Sequence, residues 1–408
     1  FYSRRKDITI KQAEEGLVDI LRQSVRDHMI SDVPVGFLLS GGVDSTALLS
    51  LAVEETGKKF KSFTVGFEGE RFADERPYAR LAAGRFGTEH YEMSITPMEF
   101  ADFLPKYVWH MEEPICEPPG VALYYVSKLA KDHVKVLISG EGGDEAFAGY
   151  ESYRNLVWLE KIKGVTGPLR HVGGHVVSSI SKMTALRKFS RYGQLMSMEF
   201  NDYYFSKASS PLTFFNKNAK SVFNPKLFNS EVESRDFDKY RKSLFPKIEN
   251  LHLLDKMLYL DTKTWLPDDL LLKADKMTMA NSIELRVPLL DHIVLEYAAS
   301  LPADFKLNGC TTKYILKKSL ERRVPHEILN RKKTGFPVPY EQWLSKELNV
   351  YVHDLLLDER TISRGYFQRD VIARLLDANS KQPFYSKEIF LLVALELWHR
   401  CFIDQPVA

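Results

Sequence analysis

An open α/β fold on a twisted parallel sheet, followed by a mainly helical C-terminal part, is the architecture this sequence predicts. Three observations predict it. Short β-rich apolar runs alternate with amphipathic helical patterns through the first third of the chain; two of those runs end directly in glycine-rich loops; and the apolar spacing is helical from about residue 253 onward. Alternation of this kind builds parallel strands joined by right-handed crossovers.

Residues 11–30 predict a helix with Leu17, Ile20, Leu21 and Val25 near one face. Val35–Leu39 is a continuous apolar run, the pattern of a strand buried on both faces, and Thr46–Glu55 after its glycine turn is helical. Phe60–Phe67 predicts a second strand, Asp74–Phe86 a helix and Glu89–Ile95 a third strand. Helices are expected over Met98–His110 and Val121–Lys131, before Val134–Ile138 supplies a fourth strand. The stretch from about 150 to 251 is mixed, with polar, glycine-containing segments at Lys163–Gly174 and Asn216–Lys239. Helical spacing returns at Leu253–Thr264, Leu270–Ser282, Ile293–Leu301 and Thr312–Arg323. The expected organisation is an α/β core over 1–150, a mostly helical insertion over 151–250, and a helical part over 251–408 that completes the site.

The 408 residues carry 56 Lys plus Arg against 54 Asp plus Glu, a net charge of +2. So balanced a chain has no overall field for gripping nucleic acid or an anionic membrane surface. Hydrophobic residues at 44% and charged residues at 27% exclude intrinsic disorder for the whole chain. Cys116, Cys310 and Cys401 lie far apart, which excludes a disulfide framework and a thiolate zinc site and suits a reducing, cytoplasmic setting. No apolar run is long enough for a membrane helix, and a soluble protein is expected. His171 and His175 stand four apart, but Gly173 and Gly174 between them make a poor helix, and no zinc site is expected.

The densest chemical signal is Ser40-Gly41-Gly42-Val43-Asp44-Ser45, between the first strand and its helix. Paired glycines let backbone amides approach an anion, the serine hydroxyls add donors, and the helix N-terminus adds partial positive charge. Asp44 within such a cradle would repel phosphate unless a divalent cation stands between them, so the loop predicts Mg²⁺ together with a nucleotide. The Walker lysine pattern is missing from the chain. A second loop, Ser139-Gly140-Glu141-Gly142-Gly143-Asp144-Glu145, follows the fourth strand and sets three acids among glycines. Acids so crowded need a cation or a proton, and Asp44 with Asp144 is the expected metal pair. Two such loops on one sheet edge mark a ligand crevice.

SGGVDS resembles the pyrophosphate-loop signature of the ATP pyrophosphatase superfamily, whose members cleave ATP between the α and β phosphates. Its flank, Asp32–Leu39, resembles the synthetase domain of glutamine-hydrolysing asparagine synthetases, as do Leu270–Ala280, Glu284–Asp291 and Asn330–Pro339 with Trp343. The resemblance, with four separate motifs in order, covers most of residues 11–345. The resemblance implies an adenine nucleotide alpha hydrolase-like fold and an AMP-forming amide synthetase using ATP and Mg²⁺. It implies Glu141 as the glutamate that orients or deprotonates ammonia, and Lys333 as the cation facing the α-phosphate, with Lys332 one register away. ATP contacts are implied at Leu38 and Val65 for adenine, at Ser40, Gly41, Gly42, Asp44, Ser45, Ser139 and Gly140 for phosphates, and at Lys276.

The substrates implied are a small carboxylate, aspartate first, and ammonia. The family's glutaminase domain, with its terminal cysteine nucleophile, is absent from this chain, whose first cysteine is Cys116 and which starts at Phe1 rather than Met. The expectation is that this domain was removed or left out, or that a separate subunit or solution supplies ammonia. Two other readings stay open: an intramolecular amine closing a lactam or macrocycle through the same adenylate, and a tRNA-modifying relative, which the near-neutral charge disfavours. The oligomeric state is open, a homodimer included.

Overall fold

The computed structural model describes residues 7–69, 74–167, 187–228, 235–331 and 338–404. Chain order begins with α1 (Ile10–His28), β1 (Val35–Leu38), α2 (Val43–Thr56), β2 (Lys61–Phe67), α3 (Arg76–Phe86) and β3 (Glu89–Ile95). It continues with α4 (Pro97–Met111), α5 (Pro119–Ala130), β4 (Val136–Ile138), α6 (Gly143–Phe147) and α7 (Glu151–Thr166). Thr9 caps α1 in a box with Gln12, each side chain bonding the other's backbone N–H. Each predicted strand is present and each predicted helix overlaps one in the structure, with ends shifted by a few residues.

The sheet has five strands in the order β3-β2-β1-β4-β5, every neighbouring pair parallel. The fifth strand, β5 (Glu284–Arg286), lies between two predicted helices of the part expected to be mainly helical and pairs with β4, Ile138 opposite Arg286. Three residues, two of them charged, carry no period that betrays a strand; partly exposed charge is what an edge strand tolerates. The Glu284–Arg286 ion pair closes at 2.7 Å, and Arg286 Nη1 also donates to the carbonyls of His28 and Ile30, so this motif ties the sheet edge to the end of α1.

From β1 the chain moves outward to β2 and β3, then returns to place β4 on the other side of β1. Connections to the two sides diverge at β1 and β4, and a crevice opens at their carboxyl ends. Both glycine loops start there.

The α/β and helical parts share their cores. One cluster joins Phe63, Phe100 and Tyr107 to Trp343, Val352 and Phe390; another joins Leu17, Phe37 and Leu49 to Leu316 and Ile328. A third, with Tyr153, Leu156, Leu244 and Met257, binds α7 and the helix Arg235–Ile248 to α8 (Leu253–Lys263). After α8 a wide π turn, Leu266–Leu271, runs into α9 (Leu272–Met279). No helix among the described residues is long and apolar enough to cross a membrane.

Candidate functional site

A cavity of about 350 Å³ opens at the crevice, and both loops line it. Gly41 takes φ +63°, a left-handed turn that an L side chain rarely adopts, and this aims the chain from β1 into α2. No side chain caps α2, whose N-cap is Gly42. No side-chain cap therefore takes up the first-turn N–H groups. Ser40 Oγ lies 3.2 Å from Ser45 Oγ and accepts from the Gly42 N–H at 3.3 Å. The second loop packs backbone on backbone against the first: a Cβ on Gly140 would stand 2.8 Å from the Ser45 nitrogen and 2.9 Å from Asp44 Cβ.

Asp44 and Asp144 come together on one cation that the motifs did not name. The buried ammonium of Lys313 bonds Asp44 Oδ2 and lies 2.8 Å from Asp144 Oδ1. Burial opposes the charge of Lys313, but the Asp144 and Asp44 carboxylates outweigh it and hold the ammonium well above the ordinary lysine range. Lys313 sits at φ +52°, at the N-cap of the helix Tyr314–Ser319. Asp44 Oδ1 is buried and accepts no hydrogen bond among the described residues. These residues contain no group of three or more metal-ligating side chains. Mg²⁺ suits such a set, since it takes one or two carboxylates and completes its shell with phosphate and water.

Glu141 lines the cavity, with Leu38, Val65, Ser139 and Gly140. Glu145, one residue past Asp144, is buried and accepts from the Tyr150 hydroxyl at 2.6 Å. Arg331 clasps the first loop: it pairs with Glu75 at 2.7 Å, donates to the carbonyls of Ser40 and Gly41 at 3.4 Å, and stacks 4.3 Å from the Tyr78 ring.

Lys276 is not brought to this cavity. Its ammonium bonds the Met111 carbonyl at 2.8 Å and Glu112 at 2.7 Å. Lys273, about one turn earlier on α9, lines the cavity instead and reaches Glu117 at 3.4 Å. Three residues apart, the two lysines lie about 60° from one another on one face of α9, and their partners separate them: Glu112 and the Met111 carbonyl hold Lys276, Glu117 holds Lys273. Lys332 and Lys333 lie outside the described residues, as do His171 and His175. Lys313 left one sequence signal: a cation at the start of a predicted helix opposes the dipole and implies an acid nearby.

A family model described as asparagine synthase matches residues 16–400. Asparagine synthetase 1 of Bacillus subtilis, named glutamine-hydrolyzing, is 36% identical over 401 residues, covering 98% of this chain and 60% of that protein. Asparagine synthetase 3 of the same organism is 25% identical over 392 residues, 90% of this chain and 56% of that one. A protein of Penicillium rubens named amidase chyE is 26% identical over 389 residues, 86% of this chain and 56% of that one. The chain thus spans less than two thirds of the length of these relatives. With a match that takes in both glycine loops and Lys313, the chain belongs to the asparagine synthase family.

Proposed function

We propose that this chain uses ATP to activate the side-chain carboxylate of aspartate and transfers ammonia to it, giving asparagine, AMP and pyrophosphate. The observation that supports it most is that Asp44 and Asp144, from loops on neighbouring strands, meet at the Lys313 ammonium in the cavity Glu141 lines.

A free carboxylate does not react with amines at neutral pH, so its oxygen first attacks the α-phosphorus and pyrophosphate leaves. Ser40, Ser45 and the first N–H groups of α2 receive phosphate oxygens, while Lys313 faces the charge that develops on the leaving group. Mg²⁺, when bound, neutralises phosphate charge, and Asp44 with Asp144 would hold it. The apolar wall of Leu38, Val65, Leu123 and Val126 suits an adenine ring. Ammonia then attacks the acyl carbon, the bond from that carbon to the AMP oxygen breaks, and Glu141 takes a proton from the nitrogen. Lys333 enters through the family resemblance as a second cation for the α-phosphate. Ammonia comes from a glutaminase domain or subunit, in keeping with longer relatives named glutamine-hydrolyzing.

The test is incubation with ATP, Mg²⁺, ammonium and ¹⁴C-aspartate, following AMP, pyrophosphate and labelled asparagine together. Equal amounts of AMP and asparagine are expected. The fungal relative named an amidase favours one other reading, a different acid amidated by the same chemistry. AMP released with another acid but not with aspartate would select it, and no AMP with any acid would overturn carboxylate activation.

A further inference from the structure

Arg331 stands 291 residues beyond Ser40, yet its side chain is built into the turn between β1 and α2. That side chain is only 10% exposed. Its Nη1 donates to the carbonyls of Ser40 and Gly41, its Nη2 donates to Glu75 at 2.7 Å, and the guanidinium carbon lies 4.3 Å from the centre of the Tyr78 ring. Glu75 and Tyr78 belong to the start of α3, where Glu75 is the N-cap residue but its side chain makes no cap bond. The turn meets α3 at the same place: a Cβ on Gly41 would stand 2.5 Å from the Ala79 nitrogen. Loop, helix start and guanidinium therefore form one packed junction.

The junction bears on the direction in which the turn's dipoles point. A turn that offers N–H groups to an anion carries carbonyl oxygens as well, and their partial negative charge repels phosphate if they swing toward it. Two of these oxygens, those of Ser40 and Gly41, are held by one guanidinium nitrogen. A planar fork can serve carbonyls with one arm and a carboxylate with the other while its face rests on a ring, whereas an ammonium is a single point of charge.

We propose that Arg331 is a positioning residue for the nucleotide phosphates: by holding the carbonyls of Ser40 and Gly41 it fixes the turn that presents Ser40, Ser45 and the first N–H groups of α2. This rests on the ATP-dependent reading proposed above. The phosphate site, although its loop is complete by residue 45, thereby depends on the C-terminal part of the chain. Arg331 borders the cavity too, so a grip on the loop has to be told apart from a grip on ATP itself.

The experiment titrates Mg²⁺–ATP and, separately, adenosine into the wild-type protein, Arg331→Lys, Arg331→Met and Tyr78→Leu by calorimetry without an acceptor acid, with the thermal midpoint of each protein taken alongside. Adenosine carries the base and ribose but no phosphate. Affinity for Mg²⁺–ATP is expected to fall about tenfold or more in Arg331→Met and nearly as far in Arg331→Lys, since the lysine keeps the charge but not the fork. Tyr78→Leu, which keeps the guanidinium and removes the ring beneath it, should weaken Mg²⁺–ATP in the same direction. Affinity for adenosine should stay near the wild-type value in all three, a split that a general loss of structure does not produce. Full Mg²⁺–ATP affinity in Arg331→Lys would make charge alone sufficient, and full affinity in Tyr78→Leu would place the action of Arg331 on ATP directly; either result overturns the proposal. Equal losses for ATP and adenosine overturn it as well. Wild-type protein that binds Mg²⁺–ATP but forms no AMP with any acid would sink carboxylate activation and leave this inference standing, whereas wild-type protein that binds no Mg²⁺–ATP sinks both.

Discussion

A lysine at the N-terminal end of a helix works against the helix dipole, and Lys313 does so in a left-handed conformation that non-glycine residues seldom adopt. Both costs are offset by the two carboxylates it holds. Removing the ammonium leaves Asp44 and Asp144 facing each other across a buried gap, so Lys313→Met is expected to lower ATP–pyrophosphate exchange by about 100-fold or more, the scale of losing one preorganised charge. Lys276 makes the opposite case, because its bonds to Met111 and Glu112 lie away from the cavity. Lys276→Ala should keep most of the exchange rate, whereas Lys273→Ala should not. Equal losses from the two α9 substitutions would show that ATP draws Lys276 from Glu112 into the crevice.

Gly140 sets the distance between two elements. The phosphate loop before α2 and the acidic loop before α6 touch through backbone, and a methyl at residue 140 meets Ser45 and Asp44 at 2.8 and 2.9 Å, closer than real Cβ contacts come. Backbone atoms cannot step aside as a flexible side chain would. Gly140→Ala should therefore spread the loops, raise the KM for ATP and slow AMP formation by about tenfold or more, since small displacements of positioned groups are costly. A lowered thermal midpoint should accompany it, because Ser45 and Ser139 beside the clash are buried. Unchanged ATP kinetics would mean that the loops act independently.

In the whole molecule, the segment 204–207 is held to α7 and α8 through the Asp261 carboxylate. Burial pushes its carboxyl up to about 6 from the ordinary 3.8, against the lowering effect of its tyrosine and backbone donors. A carboxyl raised in the folded state holds its proton while the unfolded chain has already lost it. Between about pH 4 and 6 the folded protein binds more protons, so this group's contribution to stability is present at low pH and is lost as pH rises through about 6. The loss amounts to about 3 kcal/mol across that window, because each tenfold difference in proton affinity between the folded and unfolded chain is worth about 1.4 kcal/mol. Denaturant unfolding of wild-type protein and Asp261→Asn at pH 4, 5, 6 and 7 checks it: the wild-type advantage should shrink between pH 4 and 6 and then level off. Parallel curves would place the carboxyl in its ordinary range.

What could be read along the chain was whatever short range dictates. The period of apolar residues gave four strands and the helices between them, and two glycine loops directly after strands marked the crevice that both line, because turn chemistry and strand burial are written within a few residues. Asp44, Glu141 and Asp144 were legible for the same reason. Lys207 and Lys273 were not, neither was β5, and of Lys313 only its awkward place at a predicted helix start could be read. Each is set by packing between segments far apart in sequence: Lys313 meets acids 269 residues away at Asp44, β5 finds its place only once β4 offers an open edge, and Lys207 is aimed by a bond to Asp261 across 54 residues. A lysine has no periodic signature, and an isolated ammonium is equally content in water. Only the fold, by gathering carboxylates and aromatic rings out of water around it, turns one lysine of the 56 cationic side chains into part of a site.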